Sequence, residues 1–205
     1  MKTFKQYLLE EEFPSLKTVL DDCDEFLTAS GGNYLIRGIK NLKATSHFAQ
    51  DPKNKNDPLV YYKIPTRMDR RPMDTSPTVH AAIDDWFDEH FGFKARSQAV
   101  FGFGQGQRMS EVESYGPVYL IFPVGPFKFV WSEDVGDLFG LLSNVDLKEP
   151  DIEDELDRVL TGAQYTSTNL EAATTGKCEV MVKCAKYYAF PIAFRPTIDR
   201  YLDGK

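Results

Sequence analysis

TTGKCEVMVKCAKYYAF, residues 174–190, reads as one β-strand entered through a glycine-containing turn. Strict alternation puts Cys178, Val180, Val182 and Cys184 on one face and Glu179, Met181 and Lys183 on the other. The first face is core. Glu179 therefore projects from the opposite side at the strand's beginning, where a cleft or solvent must receive it. The plainer alternative is an exposed edge carboxylate paired with Lys183.

A second strand carries the complementary charge. In NYLIRGIK, residues 33–40, Leu35, Arg37 and Ile39 share a face, so a guanidinium stands between two aliphatic side chains. An arginine desolvated in that way needs an anionic partner, and its planar fork suits a phosphate or a carboxylate. Gly38, next in the chain, leaves room for a ligand to approach the backbone. A structural salt bridge, even to Glu179 itself, is the competing explanation.

Outward from these two strands the pattern is mixed. SQAVFGFG, PVYLIFPVG and FKFVWS are three further strands, with VGPF at 124–127 expected to form a hairpin turn between the last two. DTSPTVHAAIDDWFDEHFG is a helix with Ser76 as cap, Pro77 at the first position, an apolar stripe of Val79, Ile83, Trp86 and Phe87, and Gly92 to end it. His80 and His90 read as surface or helix-end residues on it. Helices are expected over 134–142 and 149–162, and a short helical unit, entered through hydroxyl caps, over 165–174. Two amphipathic helices divided by Pro14 open the chain, and AQDPKNKNDP is a polar loop. Helices gathered early and strands gathered late point to an α+β fold with antiparallel pairing.

Composition limits the function. A chain of 205 residues with 42% hydrophobic and 27% charged residues is long enough for a substantial core. A net charge of -7 argues against recognition of nucleic acid through its phosphates. Three cysteines, Cys23, Cys178 and Cys184, do not form a secreted disulfide framework, and no cysteine and histidine spacing resembles a zinc site. No metal is expected. No apolar run reaches the about 18 residues of a membrane span, so no membrane partner is expected.

YLIRG on an early strand, RSQAVFGFG followed by MSEVESYG in the middle, and the late KCEVMVKCAKYY together resemble the layout of mono-ADP-ribosyltransferases of the Arg, Ser, Glu type over about residues 30–190. The resemblance implies an α+β fold of split antiparallel β-sheets with flanking helices, gripping NAD as substrate in a cleft between them. By position, Arg37 matches the arginine that holds the phosphate and ribose region of NAD, and Glu179 matches the catalytic glutamate. Ser97 is the one residue in the region where the family has a Ser, Thr, Ser run. Phe101, Phe103 and Tyr115 are placed to stack on nicotinamide or adenine. Arg67, Arg70 and Arg71 in PTRMDRRPMDT meet either a pyrophosphate or an acidic acceptor, or only neutralise an acidic surface; Glu111 and Glu113 are helix-surface residues. Lys177 stands where the family often has Glu or Gln, which leaves NAD hydrolysis or an unusual acceptor open.

The opening MKTFKQYLLEEE resembles the leader of internal head proteins of T-even-like phages, which is removed after a Leu or Ile, any residue, Glu pattern. Leu8 to Glu10, or Leu9 to Glu11, fits it. The expected organisation is thus a helical packaging or docking segment over 1–28 and an ADP-ribosyltransferase-like domain over 29–205. The implied protein is a phage enzyme carried in the prohead and capsid interior, then acting in the host cytoplasm on a host protein or other macromolecule. The alternatives are a non-enzymatic virion or interaction protein of the same fold, an NAD glycohydrolase, and a simple cytoplasmic location.

Overall fold

The computed structural model describes residues 13–51, 53, 57–71, 75–143 and 152–204. The leader-like stretch with Leu8, Leu9, Glu10 and Glu11 lies outside the described residues. The fold is mixed α+β, an antiparallel sheet with flanking helices.

Two short helices come first, α1 (Leu16–Asp21) and α2 (Asp24–Ala29). Ser15 caps α1 by accepting from the Thr18 amide at 3.1 Å, and Pro14 and Leu16 exchange backbone bonds with Gln50, strapping this end to the sheet. Leu16, Leu20, Cys23 and Phe26 are fully buried, so the described part of the 1–28 segment packs into the same core as the rest of the chain.

Strands β1 (Leu35–Gly38), β2 (Ser46–Ala49) and β3 (Leu59–Pro65) follow, ahead of helix α3 (Pro77–Phe91). This corrects the expectation of helices early and strands late: β2 and β3, which pair antiparallel, are too short and too aromatic to show clean alternation. Ser76, Pro77 and Gly92 start and stop α3 as expected, Gly92 taking φ of 72°. The chain continues through α4 (Ala95–Gln98), β4 (Val100–Phe103), α5 (Met109–Glu113), β5 (Val118–Trp131), α6 (Leu138–Leu142), α7 (Ile152–Gly162), α8 (Leu170–Thr175), β6 (Glu179–Pro191), a single 3-10 turn and α9 (Arg195–Leu202).

The strand order is β2-β3-β6-β4-β1-β5, and β5 also pairs with β6, so the sheet closes on itself. The long β6 changes partner along its length: residues 179–182 face β4, residues 186–189 face β3. VGPF does not make the expected hairpin. It is a bulge within β5 between Val124 and Phe127, with Gly125 at φ of 65°. Both apolar runs of β5 find the same partner in β6, which is long enough for both, so the chain bends there instead of turning back.

Three cores result. Val180, Val182, Val100, Leu35 and Ile121 fill the inside of the closed sheet. Tyr188, Phe190 and Phe122 pack under α1, α2 and α9. Met181 and Val130 pack under α3 and α7, where Ile83, Phe87, Leu156 and Leu160 converge. Glu179's face of β6 is therefore a second core, and the carboxylate stands at its edge.

The candidate active-site cleft

β1 and β4 are paired at one position only, Ile36 opposite Phe103, and Phe103 in turn is opposite Glu179 on β6. Arg37 reaches across where the β1–β4 ladder stops, its Nη1 donating to the Phe101 carbonyl. Its Nε is buried with no partner. Burial holds the guanidinium below its ordinary range, with Tyr187 and Glu179 opposing that shift.

Glu179 opens on the same space. Its amide donates to the Gly136 carbonyl, and its Oε2 accepts from the Leu138 amide at 3.3 Å. Burial pushes the carboxyl up to about 7; the Leu138 bond, Arg96 and Arg37 pull it back, while neighbouring Asp137 adds to the rise. Lys183 does not pair with it. That ammonium donates to Gln98 Oε1 at 2.7 Å. Nor does an ion pair join Arg37 to Glu179 among the described residues: the two face a common cavity of about 600 Å³, within the range of small-molecule sites.

The wall of this cavity is cationic. Arg37, Arg67, Arg70, Arg71 and Arg96 line it, against two carboxylates, Glu179 and Asp137. Arg70 lies over the Phe101 ring at 4.2 Å, and its guanidinium is pulled down to about 10, first by burial and then by repulsion from Arg37 and Arg96. Crowded like charges of this kind are relieved by an anion. A second cavity of about 410 Å³ shares Arg37, Arg67 and Arg70 and is otherwise lined largely by apolar side chains such as Leu42, Ile64 and Tyr187.

The remaining expected residues divide. Phe101, Phe103 and Tyr115 border the cavity. So does Gly38, but the space its missing side chain leaves is taken by protein: a Cβ there would lie 2.3 Å from the Val112 carbonyl oxygen and 2.8 Å from Tyr115 Cβ. The glycine admits the end of α5, which corrects the expectation that it makes room for a ligand. Ser97 is not at a strand start and is absent from the cavity wall. It sits in α4 with its hydroxyl and amide on buried Asp84, which also accepts from the Arg96 amide at 2.8 Å. A hydroxyl that closes a buried carboxylate's bonding is held by structure, not aimed at substrate.

His80, expected at the surface, stands in the cavity wall with its Nε2 3.5 Å from Asp84. Burial lowers its basicity, with Asp84 acting against that. His90 is exposed and stacked on Trp86 at 4.1 Å. Arg96, His80, Asp137 and Phe139 are the wall residues that sequence reasoning missed. The single available hint was the helical spacing of His80 and Asp84, four apart on one face. Among the described residues no cluster of His, Cys, Asp or Glu is arranged to hold a metal ion, and no helix is long and apolar enough to cross a membrane.

Comparison with protein-family models, with curated proteins and with solved structures gave no match.

Proposed function

We propose that the cleft binds NAD and transfers its ADP-ribosyl group, on an ADP-ribosyltransferase-like arrangement of the sheet. One observation carries this: Arg37 and Glu179, from strands far apart in sequence, face the same cavity without neutralising each other. An inert salt bridge would join them. Arg37, with a buried Nε that has no partner, borders that cavity, and five arginines make it a site for a polyanion such as a pyrophosphate.

The reaction breaks the bond between the ribose C1′ and nicotinamide, the electron pair leaving with nicotinamide. A nucleophile on the acceptor then bonds to C1′ and loses its proton. A carboxylate hydrogen-bonded to the ribose hydroxyl stabilises the cationic ribose more than the ground state, which is the role assigned to Glu179. Arg37 and Arg70 hold the phosphates, and the ring of Phe101 beneath Arg70 keeps that guanidinium in place.

Incubation with NAD labelled in the adenylate half, in the presence of a bacterial lysate, tests the proposal. Label on macromolecules is the expected result. Free ADP-ribose alone would make the chain a hydrolase, and neither product would leave a binding protein. Glu179→Gln should lower product formation about 10²-fold with NAD affinity kept, whereas loss of both together would assign Glu179 a structural role.

A further inference from the structure

The large hydrophobic side chains most exposed among the described residues are Met68, Tyr115 and Phe139, at 49%, 51% and 54% of full exposure. They are not scattered. Tyr115 and Phe139 line the cavity, and Met68 lies on the segment that supplies Arg67, Arg70 and Arg71 to its wall. Arg67 and Arg71 are themselves exposed. The mouth therefore presents arginine, methionine and aromatic side chains together, the types enriched in protein–protein contacts and in their energetic centres. A small-molecule hydrolase gains nothing from exposing apolar side chains there, since they cost solubility without touching the enclosed substrate.

We infer that this mouth docks a protein acceptor through an acidic surface segment carrying apolar side chains. The inference deepens the transferase reading of the same site and rests on it for its biological meaning. Charge complementarity selects the partner. Residues 67–71 carry three arginines and one aspartate, while the whole chain has a net charge of -7. A local cationic mouth on an acidic body attracts an acidic peptide at short range and repels a long polyphosphate backbone at greater range. Nucleic acid is thus the disfavoured occupant.

Fluorescence anisotropy with the full chain tests this. Three labelled probes are used: a twelve-residue peptide of alternating acidic and apolar residues, the same peptide with lysine for each acid, and a single-stranded DNA twelve-mer. The acidic peptide should bind, and the lysine peptide and DNA at least about tenfold more weakly. Met68→Glu should weaken acidic-peptide binding at least about tenfold and Met68→Lys no more than about threefold, because the first adds repulsion and the second does not. Tightest binding of DNA, equal effects of the two variants, or no binding of the acidic peptide each overturns the docking surface. Nicotinamide release from NAD, measured without peptide but with the bacterial lysate as the source of acceptors, reports separately on the chemistry: its absence alongside peptide binding removes the transferase and leaves the docking surface standing.

Discussion

Glu179 is a carboxylate whose surroundings favour its proton. With the folded value raised to about 7 from an ordinary 4.5, the native state binds more protons than the unfolded chain between those limits, so this group makes stability fall as pH rises through the window. Above it the penalty is constant, on the order of 3–4 kcal/mol. Glu179→Gln removes the penalty and can still accept from the Leu138 amide. The variant should therefore be more stable than the parent at pH 8 and indistinguishable near pH 4, as read by urea denaturation. The proposed chemistry needs the ionised form, so kcat/KM of the parent should climb with pH to a plateau centred on a pKa of about 7. A flat profile from pH 5 to 9 would separate Glu179 from the rate. Inactivity joined to added stability is what a group held for function predicts, because a group held for packing loses stability when replaced.

Among the described elements the long strand β5 is the one bent by a bulge, at Gly125. No atom lies within 4 Å of where its Cβ would be, so Gly125→Ala tests backbone conformation alone. A left-handed alanine costs about 1–2 kcal/mol, and the urea midpoint should fall accordingly with an unchanged slope. Gly38→Ala makes the opposite contrast. That backbone needs no special φ, but the new methyl would strike the Val112 carbonyl, so α5 and Tyr115 must shift. Its stability loss should exceed that of Gly125→Ala and should be accompanied by weaker NAD binding, measured by calorimetry. The bulge is also the point where the N-terminal helices attach: the Gly125 amide donates to the Asp22 carbonyl at 3.1 Å, and the Tyr188 hydroxyl donates to the Asp22 carboxylate.

At the scale of the molecule, the N-terminal helices and α9 close one core while α3 and α7 close another, and the cleft lies where the sheet's β1–β4 pairing ends. Tyr34 donates to Asp199 of α9 at 2.5 Å, tying the C-terminal helix to the residue preceding β1. If the opening segment is removed after Glu10 or Glu11, as its resemblance to a phage leader implies, the shortened chain should unfold cooperatively and keep NAD cleavage. A chain beginning at Asn33 loses Leu16, Leu20, Cys23 and Phe26 from the core and should fail to fold, by circular dichroism and by loss of a thermal transition. An anion should act in the other direction: pyrophosphate at about 100 times its Kd should add about 2.7 kcal/mol to stability if it binds the native state alone.

Local chemistry alone determined a good deal of this protein. Alternation located the strand bearing Glu179, the YLIRG pattern located Arg37, and Ser76, Pro77 and Gly92 bounded α3, because capping, periodicity and side-chain direction are decided within a few residues. It did not reach further. Whether Met181's side of β6 meets water or a second core, whether VGPF turns or bulges, and whether Ser97 faces a cavity or Asp84 depend on partners remote in the chain. β6 had to be seen beside both halves of β5, and α3 and α7 over Met181. The arginine wall shows the same division: five guanidiniums from three separate stretches converge only after the sheet closes, and charge density in space is a property that no linear spacing carries.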